Sequence, residues 1–257
     1  MLFLFTDFGY EGPYVGQMKG VLHCGLPGGV PVVDLMHDAP AWDPRAGAYL
    51  LAAYTAYLPE GVTVVAVVDP GVGGPRGGLA VEADGRWLIG PDNGLLAPTF
   101  ARATLRQAFA LPPTPPDAAP TFHGRDYFAP AAVALSQGCY DGLTAIEDQS
   151  VVGMDWPAER DAVIYFDRYG NAVSGRRAVT VPEATVLQVA GRTVHRARTF
   201  SDVPPGEVFW YENSSGLVEI AVHCGRADAL AGMVPGAALE WPRRGGGDAP
   251  SGTMRGP

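Results

Sequence analysis

The chain has 257 residues, a net charge of −9, 47% hydrophobic residues and 18% charged residues. That balance supports a substantial core and excludes global disorder, and the acidic excess leaves no basic stripe for a nucleic acid. The three cysteines, Cys24, Cys139 and Cys224, fit neither a disulfide framework nor a metal-ligand spacing, and no stretch approaches the about 20 apolar residues of a membrane span, so a reduced cytoplasmic protein is expected.

Leu2 to Phe5 is a short apolar run that ends at Thr6-Asp7-Phe8-Gly9 and predicts a strand; it lacks the basic segment and long apolar stretch of a signal peptide. Pro13 opens a predicted helix through Val15, Met18, Val21 and Leu22, and Gly28-Gly29 closes it. Val30 to Leu35 reads as the next strand, and Trp42-Asp43-Pro44 leads into a second helix, Arg45 to Tyr57. Val64 to Val68 has no polar alternation and predicts a strand buried on both faces, as in a parallel sheet. The first 70 residues therefore read βαβαβ, the pattern of a doubly wound α/β sheet.

Three of these strands end in acids: Asp7, Asp34 and Asp69. Asp34 reads as a turn or cap residue. Asp69 stands at the carboxyl end of the most buried strand, where open α/β sheets place ligands. It is followed by Pro70-Gly71-Val72-Gly73-Gly74-Pro75-Arg76. Glycines there allow backbone to approach a ligand, and Arg76 folded back onto Asp69 would keep the acid ionised and oriented. Asp34, His37 and Asp38 can be drawn with Asp7 as metal ligands, but no motif sets their geometry and no metal is expected.

Leu79 to Ala83 and Trp87 to Ile89 are predicted strands joined by an Asp84-Gly85 hairpin turn, with a helix starting near Leu95. Leu111 to Pro120 carries five prolines and forms a stiff connector to Thr121-Phe122-His123-Gly124-Arg125-Asp126, after which Tyr127 to Gln137 reads as a helix. His123, beside a glycine, can face a cleft. No dinucleotide fingerprint or phosphate loop occurs. Composition turns loop-like between Tyr140 and Arg160, which divides an α/β domain, 1–155, from a β-rich one, 160–242. Predicted strands in the latter are Ala162 to Phe166, Ala178 to Val181, Thr185 to Val189, Val208 to Tyr211 and Leu217 to Val222, a small barrel or sandwich. Asp167 to Asn171 and Tyr211 to Gly216 read as hairpin turns, and 243–257 as a flexible tail.

Seven segments in order resemble one family: Thr6-Asp7-Phe8-Gly9, Tyr14 to Gly20, Val68 to Gly73, Pro91 to Leu96, Phe122 to Asp126, Asp167-Arg168-Tyr169-Gly170-Asn171 and Asn213-Ser214-Ser215-Gly216. The chain is similar to the S-adenosyl-L-methionine (SAM) hydrolases, or SAM hydroxide adenosyltransferases, which are related to the fluorinase and chlorinase. The resemblance implies an α/β N-terminal domain with a mainly parallel sheet, a smaller C-terminal β-barrel, and a homotrimer whose site forms between subunits. It implies Asp69, Arg76 and His123 as the catalytic group. It further implies substrate contacts from Asp7 to the ribose hydroxyls, from Trp42 over the nucleoside, and from Phe122 and Gly124. Asp167, Tyr169, Asn171, Phe200 and Ser214 would hold adenine and the methionine end. Gly12 and His223 depart from the usual residues, Asp and Asn.

The implied chemistry suits these residues. SAM is then the substrate and no cofactor is expected, because a sulfonium leaves as a neutral thioether without a general acid. Water is the weak partner and must be held in line with C5′ while its proton is taken. Asp69 and His123 are both candidate acceptors, and Arg76 can stabilise developing hydroxide. A halogenase is the first alternative, disfavoured because Asp69 repels a halide. A non-catalytic SAM or adenosine binder is the second, and it would not need Asp69, Arg76 and His123 together.

Overall fold

The structure, a computed structural model, describes residues 1–241; Pro242 and the expected tail 243–257 lie outside the described residues. The first sheet is built from β1 (Leu2–Thr6), β2 (Val32–Met36), β3 (Thr63–Val67), β4 (Gly78–Ala83), β5 (Arg86–Pro91), β6 (Arg106–Ala110) and β7 (Thr144–Ile146). Its order is β2-β1-β3-β5-β4-β6-β7. The β2-β1-β3-β5 half is parallel, and β4, β6 and β7 add an antiparallel edge. Helices α1 (Tyr14–Gly25), α2 (Pro44–Thr55), α3 (Ala97–Arg102) and α4 (Ala129–Ser136) cover both faces.

Strand alternation produces the two layers. Leu2, Leu4, Val65 and Val67 pack with Met18 and Leu22 of α1 and Ala132 of α4. Phe3, Phe5, Val64 and Ala66 face the opposite way, onto Tyr49 and Leu50 of α2 and Phe100 of α3. In α2 the N-cap is Asp43, whose carboxylate accepts from Ala46 N–H at 2.8 Å, with Pro44 preset for the first turn. The β4–β5 turn falls at Asp84-Gly85 as expected, both with positive φ (46° and 73°).

The second sheet comprises β8 (Arg160–Phe166), β9 (Ala172–Arg177), β10 (Leu187–Val189), β11 (Arg192–Arg196), β12 (Val208–Glu212), β13 (Leu217–Val222) and β14 (Leu239–Glu240). Its order is β14-β10-β11-β12-β13-β9-β8, and an Ala162–Ala238 bridge brings the two edges together into a nearly closed barrel around Trp210, Val218 and Ile220. The barrel is tied to the α/β part by Tyr49 O–H donating to Pro157 O (2.5 Å), by Tyr165 O–H donating to Asp38 Oδ2 (2.7 Å), and by Arg160 with Asp43 (3.2 Å).

Local expectations need correcting in places. Ala178–Thr180 is a 3-10 turn rather than a strand, because Val179 is 82% exposed with no neighbouring strand and Pro182 interrupts the run. β9 instead takes Ala172–Arg177, weak strand formers on both sides of a glycine, which pair with β8 and β13 at once. The helix expected from Tyr127 begins with a π-helical turn, Gly124–Phe128, before α4. Asp34 lies within β2 and is not a cap; it pairs with Lys19 at 2.8 Å.

Candidate functional site

Asp7 follows β1 and Asp69 follows β3 by two residues. These strands are parallel neighbours with Thr6 opposite Val67, so both acids emerge at the same sheet end. Asp7 N–H donates to Val67 O at 3.4 Å. The loop after Asp69 turns back twice, through Val72 N–H to Asp69 O (3.3 Å) and Gly74 N–H to Gly71 O (3.0 Å), and returns Arg76 to the strand end. Gly73, at φ 76°, sits so close to the proline connector that a Cβ would stand 2.5 Å from Pro120 O.

Arg76 is the hub. Its Nε donates to Asp69 Oδ1 at 3.1 Å, and its Nη2 donates to Asp69 Oδ2 and meets His123 Nδ1 at 2.9 Å. The guanidinium lies over the Phe128 ring at 5.2 Å, and its Nη1 is buried without a partner among the described residues. Because Arg76 can only donate, His123 Nδ1 must accept, which places the imidazole proton on Nε2. Burial and then the Arg76 charge push the His123 pKa below its ordinary value, against the smaller pull of Asp69 and Asp126. His123 caps the π-helical turn, which is anchored by Asp126 accepting from Ala119 N–H (3.0 Å) and pairing with Arg125 (2.6 Å).

Above this cluster is a cavity of about 450 Å³ lined by Asp7, Phe8, Tyr14, Trp42, Asp69, Phe122, His123 and Gly124, among others. Phe8, Tyr14 and Phe122 form one wall, with ring centroids 5.3–5.9 Å apart. Gly124 is hemmed in: a Cβ would stand 3.2 Å from Met18 Sδ and from Phe8 Cζ. Trp42 is 80% exposed at φ 59°, a region bulky residues avoid, and its N–H donates to Asp7 Oδ2 at 3.4 Å. Burial raises the Asp7 pKa against the lowering effect of hydrogen bonds from the Trp42 and Asp7 backbone, and the Asp69 charge adds a smaller push upward.

The remaining expected residues, Asp167, Tyr169, Asn171, Phe200 and Ser214, line a different cavity of about 840 Å³ on the barrel. Asp167 accepts from Asn171 N–H (2.8 Å) and Asn171 Nδ2 (3.0 Å) in the β8–β9 turn. Phe200 packs edge-on to Phe209 at 5.1 Å, and Tyr169 is 74% exposed. Sequence reading missed Glu219. It is 4% exposed on β13 and accepts from Tyr211 O–H (2.5 Å) and Asn213 Nδ2 (2.7 Å), and burial raises its pKa. A lone acid inside an apolar strand carried the only signal. Tyr54 and Tyr165 also line this cavity unannounced. His223 turns to Val203 O at 2.7 Å. Among the described residues no group of His, Cys, Asp and Glu is placed to hold a metal ion.

An acid–arginine–histidine cluster beneath an aromatic-walled cavity, at the carboxyl end of a parallel sheet and joined to a barrel with a carboxylate-lined cavity, defines an α/β ligand-binding protein equipped for proton transfer. Residues 2–143 match the SAM hydroxide adenosyltransferase N-terminal domain and residues 161–240 the C-terminal domain of the same family. The chain belongs to the SAM hydroxide adenosyltransferase family. It is 42% identical to the (R)-S-adenosyl-L-methionine hydrolase of Thermus thermophilus, across 91% of this chain and 96% of that one. Identity to the Salinispora arenicola protein of the same name is 40%, across 90% and 93%. A conserved hypothetical protein from Thermus thermophilus superposes with a TM-score of 0.77 at 36% identity, covering 93% and 98%. An uncharacterized conserved protein from Thermotoga maritima shares the fold, with a TM-score of 0.82 at 23% identity, covering 94% and 99%.

Proposed function

We propose that the protein hydrolyses S-adenosyl-L-methionine to adenosine and L-methionine by in-line attack of water on C5′. The observation that carries this reading is the Asp69–Arg76–His123 contact set facing a cavity that also holds Asp7. Relatives named (R)-S-adenosyl-L-methionine hydrolase support the substrate and point to the (R) sulfonium epimer. With His123 Nδ1 occupied by Arg76, its Nε2–H can orient the attacking oxygen. Asp69 is left as the proton acceptor, and Arg76 stabilises the charge that develops. Asp7 accepts from the ribose hydroxyls, and Trp42, Phe122 and Gly124 enclose the nucleoside. The thioether leaves neutral, so no cofactor or metal takes part. A halide reading is weakened by the Asp69 carboxylate in the cavity wall.

The two sets of substrate residues line separate cavities, and Trp42 and Tyr169 stand exposed at them. That division supports a site shared between subunits, in which the α/β cavity of one meets the barrel cavity of the next and Asp167, Tyr169, Asn171, Phe200 and Ser214 bind adenine and the methionine end; the family resemblance supports a homotrimer as the assembly. Three exposed cysteines without disulfides among the described residues support a reduced, cytoplasmic setting, and no described helix is long and apolar enough to cross a membrane.

Incubation of each SAM epimer in oxygen-18 water with excess chelator tests the reaction. From the (R) epimer, adenosine labelled at the 5′ oxygen and unlabelled methionine are expected, and unlabelled adenosine or chelator-sensitive activity would contradict it. Sedimentation tests the assembly: a trimer is expected, and a monomer that binds SAM with full affinity would refute the shared site.

A further inference from the structure

Beneath the cavity runs a buried polar chain that the chemistry above leaves unused. Thr6 and His37 are both 0% exposed, and Thr6 Oγ1 lies 2.7 Å from His37 Nδ1. Phe8 N–H donates to the same hydroxyl at 3.3 Å, which leaves the Thr6 proton free to be donated to the imidazole. On the ring's far side Nε2 stands 3.0 Å from Asp34 Oδ1, out of line for a hydrogen bond, and neither atom has another partner among the described residues. Asp34 Oδ2 in turn accepts from Lys19 Nζ at 2.8 Å.

All of this converges on one short turn. Gly9 N–H donates to His37 O at 2.6 Å, Ala39 N–H donates to Thr6 O at 3.1 Å, and the Tyr10 ring meets the His37 ring edge-on at 4.9 Å. The turn so gripped carries Asp7 and Phe8, which line the cavity. Among the described residues the Asp7 carboxylate is held, apart from its own backbone, only by the long 3.4 Å bond from Trp42 N–H. Its aim is therefore set mainly by its backbone, and that backbone is fixed by Thr6 and His37. Burying a hydroxyl and an imidazole is costly unless both are satisfied, and apolar residues of the same shape would fill the space without that cost.

We propose that Thr6 and His37 are positioning residues that hold the Asp7 turn at the geometry needed to accept from a vicinal diol of the bound nucleoside. The inference rests on the reading of Asp7 as the ribose acceptor. The test compares calorimetric affinities of the full-length protein for adenosine and for 2′,3′-dideoxyadenosine. The wild type should prefer adenosine, and Asp7→Asn should cut that preference by about 10–100-fold. Thr6→Val, near in shape but without the hydroxyl, should lose about 3–10-fold of the preference while its affinity for the dideoxy compound stays unchanged. Thr6→Ser should restore it, and Thr6→Val should have no further effect in the Asp7→Asn background. His37→Gln, whose amide reaches toward Asp34 but not Thr6, should match Thr6→Val and serves if that variant does not fold. Retention of the full preference in Thr6→Val or His37→Gln overturns the inference, as does an equal loss for both ligands. A wild type with no preference, or an Asp7→Asn that keeps it, overturns the ribose reading and this inference together.

Discussion

Replacing Asp69 with Asn separates proton transfer from binding. The carboxylate accepts from Arg76 Nε at 3.1 Å through one oxygen and from Nη2 through the other. An amide offers only one oxygen, so in either orientation its NH2 faces a guanidinium N–H, and a buried donor of Arg76 goes unpaired. That costs about 1–3 kcal/mol of stability. For a chain of this size it lowers Tm by about 2–12 °C, so the variant remains folded at 25 °C. The larger effect is on chemistry. An amide cannot take the water proton, and the single-turnover rate with SAM should fall by about 10²–10⁴-fold. Calorimetric affinity for adenosine should change little. Single-turnover kinetics and calorimetry on the same preparation make the comparison. An unchanged chemical rate with weakened adenosine binding would refute the assignment and make Asp69 a ribose ligand.

Asp7→Asn should act in the reverse sense: loss of a charged acceptor for ribose hydroxyls weakens adenosine binding by about 10–100-fold in calorimetry, with a smaller effect on the single-turnover rate at saturation. His123 titrates below its ordinary 6.5 because it is buried beside Arg76, so an acidic limb due to His123 in the kcat/KM profile should lie below pH 6.5 and be absent in His123→Asn. In the window between its lowered value and 6.5 the unfolded chain binds more protons than the native one, so His123 makes stability fall as pH drops through that window; thermal melts of wild type and His123→Asn should diverge in the opposite sense if this is wrong. Gly90→Ala would press a Cβ onto the Ala66 carbonyl oxygen of the adjacent strand β3, and a lower denaturant midpoint at constant m, corresponding to about 1–3 kcal/mol of lost stability, is expected.

Much of the fold was legible because its signals are local. The apolar runs ending at Asp7 and Asp69, with amphipathic segments between them, imply βαβαβ, and the Asp84-Gly85 pair marks its hairpin. Asp69 and Arg76 lie seven residues apart on one proline- and glycine-rich loop, so their contact needs only that loop to turn back. β9 was hidden because Ala172 to Arg177 has little intrinsic strand preference and is held by two neighbours at once.

What tertiary structure alone decided is which distant groups meet. Asp7 stands beside Asp69 because β1 and β3 are parallel and in register, a relation that no spacing along the chain encodes. His123 joins Arg76 across 47 residues because the proline connector and the π-helical turn deliver it there. Glu219 faces the barrel cavity because of the strand's alternation and the barrel's closure, where sequence offers one acid in an apolar run. His37, which in sequence belongs with Asp34 and Asp38, meets Thr6 31 residues away. Sequence determines the local runs and turns; side-chain meetings across the sheet depend on register and packing, which exist only once the whole sheet has formed.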